Sequence, residues 1–254
     1  MYKFKFYFFL KRFLYKIIYN FLNRKNIVFC RVACLGKDII KLKFGDKTKL
    51  INMQKMRIDL LVDTFLIKKN KKIDSKKIHE FMNRKDIYPL ICDQEEFNWD
   101  NYFWSSKYIF IDSYSELTDQ KFIHKSEGWS FCANFGDLLH TNKFNTIFEC
   151  EGLLNLTKME EYYRVFLNYI KVNYPKKIVI LINFPANLDI RLKFKNRADQ
   201  ISLVYRNLAK EFSFVRLLLI NDEFIVPNEL DNYPYHFGKL TYDTYVENLE
   251  ILVK

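Results

Sequence analysis

Three places in the sequence bring together side chains capable of chemistry. The most informative is the stretch DNYPYHFGKLTYDTY at residues 231–245. An imidazole serves as a general base near neutral pH when an acceptor on its second ring nitrogen fixes its tautomer and orientation. Asp231, just upstream of His236, offers that acceptor, as does a backbone carbonyl. The competing assignment is a capping or core histidine held by Tyr233 and Tyr235. The second place is the turn Ala33–Cys34–Leu35–Gly36–Lys37–Asp38. A thiol near a helix N-terminus and a lysine such as Lys37 has a depressed pKa and needs little activation as a nucleophile. His236 would act as its base, and the amides of Leu35 and Gly36 would hold the oxyanion. Free cysteine is otherwise a small buried hydrophobe. The third is Ser113 in Asp112–Ser113–Tyr114–Ser115–Glu116. The ordinary work of a serine beside an aspartate is to cap a helix or close a turn. Glu116 and Asp119 read as solvated or capping acids, and Arg197 as a helix-surface residue.

Other chemistries find no motif. The six glycines are never closer than eight residues apart, so the closely spaced glycines of a Walker or dinucleotide loop are absent. No two aspartates form a DxD pair, which weakens a metal-dependent nucleotide-sugar transferase. The four histidines, His79, His124, His140 and His236, are scattered, without HxH or HExxH spacing, and no metal site is expected.

These candidates need elements that position them. Apolar runs at 27–33, 107–112, 177–183 and 214–220 read as strands, with 177–183 the strongest. Residues 34–38 read as a tight turn before a short helix with Ile39, Ile40 and Phe44, ended by Gly45. Helical spacing recurs around 53–66, and Asp74 and Ser75 can cap a helix bearing Ile78, Phe81 and Met82. Residues 86–105 read as a surface insertion and 120–155 as a long excursion over one sheet edge. Thr157 and Glu160 make a capping-box pair opening a helix, and further helices are expected over 197–212 and 241–253. Strands alternating with helices, and strands apolar throughout, predict an α/β fold. The expected form is a three-layer α/β/α domain over 26–254 with a mostly parallel sheet of about five strands. Chemistry in such folds sits on loops beyond the carboxyl ends of the strands, here 34–38, 112–119, 183–188 and 221–238.

The net charge is +11, but residues 1–25 hold seven cations and no acid, leaving +4 for the other 229 residues. The same arm carries ten aromatics, and cations interrupt every window in which a membrane span would fit. At helical spacing Lys5, Arg12, Lys16, Asn20 and Asn23 share one face. A basic, aromatic amphipathic helix suits an anionic membrane surface; the alternative is a helix docked on its own domain. No motif supports nucleic acid as a partner. Cys30, Cys34, Cys92, Cys132 and Cys150 lack CxxC spacing, which points away from a disulfide framework and toward a reducing compartment.

The order strand, turn, helix, then a late Asp and His before the terminal helix resembles the SGNH/GDSL superfamily of esterases and acyltransferases. The ending from Asp231 through His236, Phe237, Tyr242 and Tyr245 is similar to the branch found in bacterial capsule and lipopolysaccharide gene clusters. The resemblance covers roughly residues 28–253 and implies that the α/β/α sheet is flavodoxin-like, with a nucleophile in the turn after the first strand. The superfamily's Gly-Ser is replaced here by Val32–Ala33, while Cys34 stays. An asparagine helps form the superfamily's oxyanion hole; Asn183 and Asn134 are the candidates. The resemblance implies acyl transfer to, or ester hydrolysis on, a sugar of a surface polysaccharide. Catalysis would fall to Cys34, His236 and Asp231, with Ser113 as a third candidate nucleophile. Gly36, Lys37, Asp112 and Asn183 would bind substrate. In a second version His236 deprotonates a sugar hydroxyl directly. No cofactor is expected beyond an acyl donor such as acetyl-CoA, and the expected location is the cytoplasmic face of the cell membrane. The alternatives are a capsule-pathway glycosyltransferase and a non-catalytic accessory protein with a degenerate nucleophile turn.

Overall fold

The structure is a computed structural model, and it describes residues 27–45, 48–96, 106–231 and 233–254. The basic aromatic arm, residues 1–25, lies outside the described residues. The chain runs through β1 (Ile27–Arg31), α1 (Cys34–Phe44), β2 (Lys49–Asn52), α2 (Ile58–Leu61), α3 (Lys76–His79) and α4 (Tyr88–Glu96). It continues through β3 (Tyr108–Asp112), α5 (Tyr114–Thr118), β4 (Asp119–His124), β5 (Ser130–Asn134), α6 (Asn142–Ile147) and β6 (Phe148–Gly152). The last elements are α7 (Leu156–Asn173), β7 (Ile178–Ile182), α8 (Leu192–Glu211), β8 (Val215–Leu218) and α9 (Lys239–Val253).

β1, β3 and β7 are apolar along almost their whole length because both faces of the sheet are covered. They form the centre of a five-stranded sheet of order β2-β1-β3-β7-β8, parallel at every pairing. This is the flavodoxin-like order, whose switch point lies between β1 and β3. α1 and α9 pack together on one face, while α2, α7 and α8 pack on the other. Two parallel helices on one face of a parallel sheet begin at the same edge, so the starts of α1 and α9 both stand at the carboxyl edge of the strands. Among the described residues no helix is long and apolar enough to cross a membrane.

Several expected boundaries move for identifiable reasons. Cys34–Asp38 is not a turn but the first turn of α1, capped by the extended residue Ala33 and closed at Gly45, whose φ of 73° favours glycine. The cap of α7 is Asn155, whose Oδ1 accepts from the amides of Thr157 and Lys158, so the expected box at Thr157 does not form. An Asn just upstream satisfies the same orphan amides first. α8 begins at Leu192, ahead of the expected 197.

The expected excursion over 120–155 is instead a second sheet, three antiparallel strands in the order β5-β4-β6. Its inner face carries Phe122, Phe131 and Phe148, which close with Trp129, Phe144, Phe81, Ile78 and Ile91 into a separate aromatic core. Phe122 stacks on Phe131 at 5.3 Å, and Phe144 meets Phe148 at 5.0 Å. Each such ring buried contributes roughly 1.5–3 kcal/mol, enough to order a small sheet. Buried polar links tie it to the large sheet. Arg57 pairs with Asp59 at 2.7 Å and donates to the Gly152 carbonyl, and Gln94 bridges the carbonyl of Lys55, in the loop after β2, to that of Cys132.

Candidate active site

The site begins at the carboxyl end of β1. Cys34 is the first residue of α1 and is exposed. Gly36, two residues on, is buried where α1 crosses Val32 and Asp112. A Cβ there would sit 2.7 Å from Val32 Cβ and 3.2 Å from Asp112 Oδ2, so glycine is required by close approach. Lys37 is exposed beside it, its amide closing the first helical bond to the Ala33 carbonyl.

Asp112 and Ser113 were expected in contact with substrate; the structure turns both inward. Asp112 is 2% exposed, accepting from the Ala33 amide at 2.6 Å and the Tyr114 amide at 3.1 Å. Burial pushes its carboxyl up to about 7, against those two N–H donors and the nearby Arg31. It therefore anchors the turn that presents Cys34. Ser113 is 1% exposed and its hydroxyl accepts from the Phe184 amide, tying the loop after β3 to the loop after β7. A buried serine held this way is a brace, not a nucleophile.

Beneath them lies a charged network. Arg31, fully buried, meets Glu116 in a two-pronged pair at 2.8 and 2.9 Å and donates to Tyr163 Oη and the Met56 carbonyl. Glu116 was read as solvated or capping, yet it is completely buried because Arg31 and the Ile58 amide satisfy it. Asp119 is likewise buried, with Lys55 Nζ 3.6 Å away and burial raising its pKa. Arg197, expected on a helix surface, donates to the carbonyls of Glu116 and Leu154.

On the loop before α9, Asp231 Oδ2 lies 2.9 Å from His236 Nδ1, leaving Nε2 as the second face of the ring. Both side chains are a little under half exposed. The hydrogen bond with His236 holds the Asp231 carboxyl below its usual range, helped by the Tyr233 amide. The Tyr233 ring stands 4.8 Å from the imidazole and its hydroxyl 3.2 Å from that of Tyr114. Tyr235 packs edge-on against Tyr114 and hydrogen-bonds Asp189 Oδ2, the oxygen that Arg191 also grips while its Nε reaches Oδ1. Those bonds outweigh burial and hold Asp189 at about 2. The tyrosines form one wall of a cavity of about 540 Å³ whose other lining includes Lys55, Arg84, Asn134 and Phe135.

The structure thus joins Asp231 to His236, and Gly36 and Asp112 to the Cys34 turn. It sets Asn183 apart. That side chain faces a second cavity of about 330 Å³ between the loop after β7 and α8, and its Oδ1 is buried without a hydrogen-bond partner among the described residues. Sequence reading missed Tyr114, Asp189, Arg191, Lys55 and Arg84, whose local contexts match no motif. Only the crowding of tyrosines around His236 was a signal. Among the described residues no three His, Cys, Asp or Glu side chains gather to hold a metal ion.

Fold and site define a flavodoxin-like α/β protein with a candidate residue in the turn after β1 and an Asp–His pair before the last helix. The sheet order is the one the SGNH/GDSL resemblance implies. No protein-family model matches the chain, and no curated protein matches it. Among solved structures it is similar to a proposed platelet activating factor from Streptococcus pneumonia, at 11% identity and a TM-score of 0.44 over 98% of this chain and 96% of that one. It is similar to a GDSL-like lipase from Bacteroides thetaiotaomicron, at 10% identity and a TM-score of 0.44 over 91% and 88% of the two chains. It is also similar to a carbohydrate esterase, at 12% identity and a TM-score of 0.40 over 90% and 69%.

Proposed function

We propose that this protein transfers an acyl group to, or removes one from, a sugar of a surface polysaccharide. The observation that carries the reading is the Asp231–His236 pair, bonded at 2.9 Å on a half-exposed loop at the carboxyl edge of the sheet. Asp231 holds Nδ1 as the protonated nitrogen, so Nε2 is free to take a proton. The exposed thiol of Cys34, at the start of the neighbouring parallel helix, is the acyl carrier. Its proton passes to His236 as sulfur attacks the acyl carbonyl, and the leaving group departs with that proton. A sugar hydroxyl, or water, then attacks the thioester, gives its proton to His236 and releases the thiol. An acyl thioester such as acetyl-CoA is a donor that fits this chemistry. The polysaccharide context rests on the sequence resemblance, and a location at the inner face of the cell membrane rests on the basic aromatic residues 1–25, which would bind anionic lipid.

Intact-mass measurement after incubation with acetyl-CoA or an activated ester tests the reading. An acetyl adduct is expected on wild type and Ser113→Ala, absent from Cys34→Ala and strongly slowed in His236→Gln. An adduct surviving Cys34→Ala would remove the nucleophile assignment. For the arm, deletion of residues 1–22 is expected to abolish sedimentation with anionic vesicles; unchanged sedimentation would refute the membrane role.

A further inference from the structure

We infer that the cavity walled by Tyr114, Tyr233 and Tyr235 is a binding site for a saccharide bearing an acidic group, either a carboxylate or a phosphate. In its catalytic meaning this extends the acyl-transfer reading by naming the acceptor, whereas binding stands without any catalysis.

Charge is the first observation. Lys55, Arg84, Arg191 and Lys193 line the cavity with one carboxylate, Asp137. They arrive from the loop after β2, the segment before α4, and the start of α8, so tertiary folding brings the cations together. Lys55 is committed to Asp137 at 2.6 Å, a buried pair that forms the floor. Of the other three, Arg84 and Arg191 are each ion-paired with an aspartate and only Lys193 is not. Arg84 and Arg191 each spend two donors on an aspartate, Asp86 and Asp189, leaving guanidinium N–H groups over. Lys193 has no carboxylate partner among the described residues and lies over the Phe194 ring at 5.0 Å. Arginine presents the planar donor array that carboxylate and phosphate groups fit.

The neutral lining is the second observation. Gln120 accepts the Cys150 thiol, and Asn134 accepts the Gly136 amide, so each keeps its NH₂ donors. With the hydroxyls of Tyr114 and Tyr233 they provide the mix of donors and acceptors that a polyol needs.

A third feature gives the ligand a ring. Phe135 is 48% exposed, costly for an apolar side chain, yet it is rigidly held. Its turn is closed by a reciprocal capping box between Asn134 and Asp137, and His140 stacks on one ring face at 3.6 Å and 10°. One face is therefore occupied and the other open. A single open aromatic face suits the C–H face of a pyranose. Tyr233, which lines the cavity, is also the residue that packs on His236, its ring 4.8 Å from the imidazole.

Calorimetry on the full chain tests this with tetragalacturonate, glucose 1-phosphate and neutral maltotetraose as probes. At least one acidic probe is expected to bind at least about tenfold more tightly than maltotetraose, the stronger of the two identifying carboxylate or phosphate. Arg84→Gln with Lys193→Gln should erase that preference, and Phe135→Ala should weaken all three probes. Cys34→Ala should bind like wild type. Equal binding of neutral and acidic probes, no binding by any probe, or affinities unmoved by the cavity substitutions would overturn the inference, as would displacement of the acidic probe by coenzyme A at lower concentration. An acetyl adduct on Cys34 with no acidic-saccharide binding would sink this inference and leave the acyl-transfer reading standing; binding without an adduct would do the reverse.

Discussion

Gly36→Ala isolates the contact that positions the Cys34 turn. The new methyl would stand 2.7 Å from Val32 Cβ, 2.9 Å from Val32 Cγ1 and 3.2 Å from Asp112 Oδ2. Neither neighbour can yield easily. Val32 is clamped by the Asn52 side chain, which accepts its N–H at 2.9 Å and donates to its carbonyl at 2.8 Å. Asp112 is buried and fixed by the Ala33 amide. Overpacking of this kind costs about 1–3 kcal/mol, against which alanine in a helix regains at most about 1 kcal/mol. Because neither neighbour yields, the upper part of that range, about 2–3 kcal/mol, applies, and the net expectation is a loss of about 1–2 kcal/mol. Urea unfolding should show a lower midpoint at unchanged slope, with Tm reduced by roughly 2–8 °C. The same displacement of α1 should alter the alkylation rate of Cys34, two residues away. If Gly36→Ala proves as stable as wild type or more so, as helix propensity alone dictates, the close-approach reasoning is wrong.

Three other outcomes follow from the same geometry. Arg31→Met should destabilise by about 3–5 kcal/mol, because Glu116 stays buried without its partner; adding Glu116→Leu should recover much of the loss in chemical denaturation, and no recovery would show that the pair itself is not the cause. Asp189 has a folded pKa of about 2, below its unfolded value. Its contribution, about 2 kcal/mol, is therefore complete above about pH 4 and disappears as pH falls toward 2. Asp189→Asn should be less stable at neutral pH and lose less on acidification to pH 2; parallel curves for the two proteins would contradict this. Finally, native alkylation should label Cys34 and Cys150, which are exposed, while Cys30 and Cys132 react only after unfolding, since both are fully buried and burial pushes their thiols up. Native labelling of Cys132, read by peptide mass, would mean that the junction of the two sheets opens.

What the sequence by itself determined is whatever depends on neighbours in the chain. β1, β3 and β7 were legible because a strand buried on both faces is written as an unbroken apolar run. α7, α8 and α9 were legible from helical spacing, and alternation of strands and helices implied a parallel sheet covered on both faces. Asp231 and His236 were legible as a pair because one short loop carries both. Tertiary structure alone decided the rest. Glu116 is buried and not solvated because Arg31, 85 residues away, neutralises it. Arg197 leaves the helix surface because two carbonyls from other segments reach it. The small sheet escaped notice because its aromatic core is shared among strands and helices that meet only when folded. The 540 Å³ cavity belongs to no local motif, since its cations, tyrosines and Phe135 come from separate parts of the chain. Burial and charge pairing are settled by which distant segments meet, and they decided that Asp112 and Ser113 brace the turn while Asp231 and His236 face solvent.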